Sequence, residues 1–326
     1  MNLGKFVLLG ILFLTLLSCD NSTEPEETVD VPLVYVTIAG HIEDTAIYAN
    51  CDAYPGYRTK LLDFAEMLSE TGVSFNLQID YEFLLGTTNC ETEAMRAETD
   101  GLNTVDYLAT HYGFEIDAHQ EGGTEVGQDN YADVRYLGCT LTSAISDNVG
   151  GLVWDDPGQF ARLATGEQGL LYPQFTWQPE VLTLAVSHTH HAGNFSNDDI
   201  ASGVWKPKGA NDNFWVHDPN ERMVYIGPGE HSDWGNKTEH LSAPEFVEHL
   251  VNQMETGAIP GDKMYTVTLT VPQNVIFNTE EHSKLLAKLD AIEPYIQSGQ
   301  VQYVTYSKAV EIWMTRFESQ PNIYYR

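Results

Sequence analysis

Positive charge is scarce in this chain: 16 lysines and arginines stand against 47 aspartates and glutamates, for a formal net charge of -31 at pH 7. A field of that sign repels phosphate backbones, so nucleic acid is excluded as a partner. Other absences narrow the field further. There is no Gly-x-Ser-x-Gly elbow for a serine nucleophile, no phosphate-binding loop and no dinucleotide fingerprint. No internal repeat and no second hydrophobic core are visible. The apolar run Phe6–Leu17 is too short to span a bilayer comfortably.

What is present begins with an export signal. Lys5 followed by that apolar run reads as a secretory signal peptide over 1–18. Leu16-Leu17-Ser18-Cys19 resembles the lipobox of bacterial lipoproteins, which implies that Cys19 becomes a lipidated N-terminus on a bacterial membrane, at the periplasmic face or the cell surface. Residues 19–30 are polar and acidic and read as a tether, and the folded domain is expected over 31–326. Export implies an oxidising compartment, in which Cys51, Cys90 and Cys139 are free to pair. Cys51 and Cys90, both in loop-like sequence, are the preferred pair, although spacing does not fix connectivity.

The pattern of the folded part is α/β. Leu33–Ile38 is a nearly continuous β-branched run, the signature of a strand buried on both faces in a parallel sheet. A helical face over 57–71 stops at Gly72, a strand follows over 73–79, and helical stretches over 91–109 lead to the strand 113–119. The alternation continues with a helix over 131–146, candidate strands at 151–154 and 181–186, a capped helix from Ser242, a strand at 264–271, a helix at 280–297, a strand at 301–306 and a closing helix. Residues 192–236, rich in Gly, Pro, Asn and Trp, break the rhythm and read as an insertion containing a β-hairpin.

Chemistry gathers at strand ends. His41, Glu43 and Asp44 follow the first strand, His119 ends the third, and His188, His190 and His191 follow 181–186. In barrels of parallel strands that end carries the active site. His41 and Glu43, two apart, share a face of an extended strand, whereas Glu43 and Asp44 reach one site only if the chain has left strand geometry. In the insertion, Trp205 and Trp215 suit stacking on sugar rings.

Three stretches resemble the polysaccharide deacetylase (NodB-homology) family. Val36-Thr37-Ile38 running into Glu43-Asp44 looks like its paired-acid motif, Gly113–His119 like the strand opening its histidine motif, and Val301–Ala309 like its last strand and closing helix. The resemblance implies a distorted (β/α)7-type barrel of mostly parallel strands and a metal-dependent hydrolase that deacetylates carbohydrate. It makes Glu43 the base, Asp44 and His119 ligands, and a divalent metal, zinc by expectation, the cofactor. Gly123 stands where that family's second histidine falls, so a replacement ligand is required, with His41 or one of His188 and His190 the candidates. The alternatives are a non-catalytic glycan-binding lipoprotein and a glycoside hydrolase using Glu43.

Overall fold

A computed structural model describes residues 33–43, 46–119, 130–150, 157–184, 201–229 and 241–326. The strands are β1 (Val34–Ile42), β2 (Asn76–Ile79), β3 (Glu115–His119), β4 (Ile145–Gly150), β5 (Glu167–Gln168), β6 (Thr176–Trp177), β7 (Val181–Thr183), β8 (Ser202–Trp205), β9 (Val224–Pro228), β10 (Tyr265–Val271) and β11 (Val301–Tyr303). The helices are α1 (Tyr54–Ser69), α2 (Tyr81–Cys90), α3 (Glu93–Ala97), α4 (Thr104–His111), α5 (Tyr131–Leu141), α6 (Pro157–Thr165), α7 (Ala243–Glu255), α8 (Gln273–Ile276), α9 (His282–Gln297) and α10 (Tyr306–Thr315).

One sheet runs in the order β10-β1-β2-β3-β4-β7-β9-β8, and only the β8–β9 pair is antiparallel within it. β1 is its axis. One edge of β1 pairs with β10 from Val34 to Gly40; the other is shared, β11 taking Val34–Val36 and β2 taking Ala39–Ile42. Alternation along β1 sorts the core: Val34, Val36, Ile38 and Ile42 pack outward under the helices, while Tyr35 and Ala39 belong to an inner cluster with Val224, Ile226 and Trp313.

The sheet curls until β8 and β9 approach β10. Side chains bridge that seam: Gly203 N donates to Thr266 Oγ1 at 2.8 Å, and Thr266 N donates to Ser202 Oγ at 2.9 Å. The result is a nearly closed, mostly parallel barrel with eight strands on its main path, where the sequence suggested seven. The supposed insertion is also revised. Its described part supplies β8 and β9, and β9 lies parallel to β7 as a full barrel strand. The strand-like Arg222–Ile226 of the sequence is β9, paired with its neighbour β8; what the Gly- and Asn-rich connections hid is that β9 also lies against β7. A strand runs over Ile145–Gly150, where the polar Ser146-Asp147-Asn148 disguised it; the candidate at 151–154 lies outside the described residues.

Helix α10 closes the floor. Its Tyr306, Ala309 and Trp313 are fully buried, and Tyr306 N and Ser307 N donate to Glu115 at 2.9 and 3.1 Å, placing a carboxylate at the positive end of the helix. Above it, Asn76 Nδ2 donates to Glu115 at 2.8 Å and to Asp117 at 2.6 Å, and the Ser146 hydroxyl also bonds Asp117. Burial, aided by the charge of Glu115, pushes the Asp117 carboxyl well above its usual range.

A disulfide joins Cys51, just before α1, to Cys90 at the end of α2, as preferred from sequence, and Cys139 is free and exposed. The turn ahead of Cys51 lies hard against α2. A Cβ on Gly86 would sit 2.1 Å from the Tyr48 carbonyl oxygen, so this approach requires glycine.

Two outcomes are expected. Removing the Cys51–Cys90 crosslink by double substitution to alanine should cost about 2–4 kcal/mol in denaturant unfolding. For Asp117, a carboxyl raised in the fold adds no penalty below its unfolded value of about 3.9 and an increasing one as pH rises. Asp117→Asn, neutral and of similar shape, should therefore match the parent near pH 3.5 and gain on it by up to about 1.4 kcal/mol per pH unit above pH 4, until the folded-state carboxyl ionises. Urea unfolding at pH 3.5 and 7 measures this, and equal stability at pH 7 would refute it.

Candidate functional site

Three polar side chains meet where β1 and β3 end. His41 is on the inward face of β1, Glu43 follows two residues later on the same side, and His119 is the last residue of β3. Glu43 Oε2 lies 2.6 Å from His119 Nε2 and 3.2 Å from His41 Nδ1. The imidazoles pack face toward face, with centroids 4.2 Å apart and planes inclined by 31°. Both are about 2% exposed. The cluster sits at the C-terminal mouth of the parallel strands, where the first and third βα-connections leave the barrel.

The chemistry of these donors fits a divalent metal ion. One donor atom from each residue lies within 4.8 Å of the others, against about 3.4 Å between ligands of a tetrahedral site with bonds of ~2.1 Å. The Gly150 carbonyl can only accept, so His119 Nδ1, 3.1 Å away, donates to it and Nε2 is left facing Glu43. A cation, whether proton or metal, must therefore stand between ring and carboxylate. A backbone carbonyl behind the distal nitrogen is the usual support of a metal-binding imidazole. Burial, and then the adjacent His119, lower the His41 pKa, which favours the neutral ring that ligation requires. Burial alone would raise the Glu43 carboxyl, but bonds from His119 and His41 outweigh it and hold the group well below the usual carboxylate range.

A surrounding layer fixes these groups. Gln78 on β2 donates to Thr183 Oγ1 at 2.9 Å, and its carboxamide lies over Gly150, where a Cβ would come within 2.1 Å of three of its atoms. Its buried Oε1 has no partner at ordinary hydrogen-bond geometry, yet Gln78 still favours the charged form of His41. Gln273, opening α8, accepts from the Tyr48 hydroxyl at 2.8 Å and from the Glu43 amide at 3.4 Å, which ties the exit of β1 to the end of β10. Asp80 caps α2 through Phe83 N at 2.9 Å; burial raises its carboxyl well above the usual range, and it feels the charges of His119 and Glu43.

Of the residues singled out from sequence, the structure brings together His41, Glu43 and His119. Asp44, His188, His190, Gly123 and Cys19 lie outside the described residues. Trp205 is corrected as a surface stacking residue. β8 runs from mouth to floor, so Trp205 pairs with Tyr225 near the floor end of β9; it is fully buried, its indole N–H donates to Phe214 O at 2.7 Å, and the half-buried Trp215 packs against it with centroids 5.7 Å apart. Trp205 therefore lies away from the mouth. Gln78, Asp80, Gly150 and Gln273 were missed, although Asn76, Gln78 and Asp80, polar at alternate positions, carried a signal of an inward polar face.

The chain is thus a nearly closed β/α barrel with a cluster of two histidines and one carboxylate at its mouth. No protein-family model matches it, and no curated protein matches it. Among solved structures, it is similar to the 4-alpha-glucanotransferase from Thermococcus litoralis, with 11% identity and a TM-score of 0.45 over 89% of this chain and 41% of that one. It is also similar to PuuE allantoinase, with 11% identity and a TM-score of 0.48 over 87% of this chain and 91% of that one. The chain spans less than half the length of the glucanotransferase. The barrel assignment rests on the strand register, and the activities in those names belong to those proteins.

Stripping the protein with a chelator and titrating zinc back by calorimetry tests the site. His119→Ala and Glu43→Gln should each weaken binding at least about 100-fold. Gly150→Ala, which forces the Gln78 carboxamide aside, should cost about 10–100-fold without touching a ligand. Parent-like affinity in all three would remove the site.

Proposed function

We propose that this protein is a metal-dependent hydrolase of the polysaccharide-deacetylase type, exported and lipid-anchored through Cys19, which removes acetyl groups from carbohydrate. The convergence of His41, Glu43 and His119 at the barrel mouth carries the reading. A divalent ion, with zinc the expected one, would when bound there polarise the acetyl carbonyl and acidify a water molecule. His41 and His119 supply nitrogen donors, and Glu43, held anionic between them, supplies the carboxylate. That makes Glu43 a ligand more than a base. Asp80, whose carboxyl burial raises above its usual range and which feels the charges of Glu43 and His119, is the candidate to give a proton to the departing sugar nitrogen or oxygen. Asp44 and His188 remain candidates for base and additional ligand on sequence grounds. The Cys51–Cys90 disulfide supports an oxidising, extracytoplasmic location.

One observation favours a second reading. Two carboxyls, Glu43 at the mouth and the buried Asp80, lie near enough to feel each other's charge, and a glycoside hydrolase works with a pair of carboxyls.

Acetate release from acetylated oligosaccharides by the purified mature protein decides between them. Release that chelation abolishes, zinc restores and Glu43→Gln lowers at least about 100-fold supports the deacetylase. Chain cleavage indifferent to chelator supports the glycoside hydrolase, and saturable glycan binding with neither product supports a binding protein.

A further inference from the structure

The turn between β5 and β6 is built with unusual care for a surface loop. Asp133, fully buried in the first turn of α5, accepts from three consecutive main-chain amides: Leu170 N and Leu171 N on Oδ2 at 2.9 Å each, and Tyr172 N on Oδ1 at 3.0 Å. Asn130 Nδ2 donates to Gln168 O at 3.0 Å, and a Cβ on Gly169 would lie 2.5 Å from Asp133 Oδ1. A buried carboxylate thus clamps the backbone from below. Yet what the clamp displays is apolar and solvent-facing: Leu170 is 61% exposed and Leu171 42%.

The turn is also anchored to the two helices, α2 and α5, that leave the mouth of the barrel. It is held by the N-terminus of α5, which like that of α2 faces the mouth, because both helices follow the C-terminal ends of strands. Tyr172 stacks on Tyr136 with centroids 4.2 Å apart, and its hydroxyl meets that of Tyr81 at 3.1 Å. Tyr81 directly follows Asp80. From Gln168 to Pro179 there is no charged residue, in a chain of net charge -31.

We infer that this turn is a sugar-binding subsite, in which Leu170, Leu171 and Tyr172 take the apolar ring faces of a neutral glycan beyond the acetyl group being removed. The inference rests on the hydrolase reading and specifies the outer part of its substrate. An uncharged aliphatic and aromatic ledge offers CH and ring contacts to neutral sugars, whereas a polyanionic glycan meets the repulsion of the whole acidic surface. Rigidity suits the role, because a ledge fixed beforehand loses little conformational entropy on binding.

The test uses the metal-loaded mature protein, a Leu170→Ser/Leu171→Ser double variant and Tyr172→Ala, with acetylated oligosaccharides from disaccharide to hexasaccharide. The preference for the hexasaccharide over the disaccharide, read as a ratio of kcat/KM, should fall about tenfold in the double variant through KM. An unchanged ratio overturns the inference. So does loss, in the double variant, of binding to neutral phosphatidylcholine vesicles while the ratio holds, which would make the turn a membrane contact. If the parent releases no acetate from any substrate, the hydrolase reading fails by itself. Calorimetry with the intact hexasaccharide then decides the subsite: binding by the parent that weakens about tenfold in the double variant upholds it, and equal or absent binding overturns it.

Discussion

A carboxylate wedged between two buried imidazoles is the constraint on which this fold turns. Desolvation opposes the charge on Glu43 and on either ring, so the arrangement persists only while donor and acceptor meet at short range in fixed directions. Each neighbouring element restrains one of those directions. β3 delivers His119 against the Gly150 carbonyl, β2 lays Gln78 beside His41, and Gln273 reaches from the end of β10 to hold the Glu43 amide. The disulfide and the close approach of Tyr48 to Gly86 fasten the connection that leaves β1.

The interior below the mouth is unusual in being polar along β2 and β3. Asn76, Glu115, Asp117 and Ser146 form a bonded layer over α10, and Thr37 meets Thr268 at 2.8 Å next to Tyr306. Apolar packing occupies the other side of the barrel, through Val181, Val204, Val224 and Ile226. The barrel therefore has a polar wall and an apolar wall, and the candidate metal ligands crown the polar one.

Much of this was legible from alternation. In β1, apolar residues at even positions and Thr37 and His41 at odd ones identify an outer and an inner face, and Glu43, two residues past His41, continues the inner one, which is why the His41–Glu43 pairing was readable. The Cys51–Cys90 pair was readable because one residue falls in a turn and the other at the very end of a helix, in loop-like sequence. Other features were not, because they depend on partners distant in sequence. β9 joins β7 across a stretch without helical rhythm, and Trp205 looks like a surface aromatic until the antiparallel course of β8 carries it to the floor. Gly150 resembles any glycine at a strand end; only the carboxamide of Gln78, 72 positions earlier in the chain, gives it meaning.

The shared edge of β1 has a kinetic consequence. Val34 pairs with Tyr265 on one side and with Val301 on the other, so the first strand cannot complete its lower half until nearly the whole chain is available. Contacts of such long sequence separation close late and slowly. A nascent chain lacking its last third would hold β1 with both lower edges bare, an adhesive state that a trigger of C-terminal synthesis abolishes at once. The order of emergence thus makes the final strand and its floor helix the latch of the barrel.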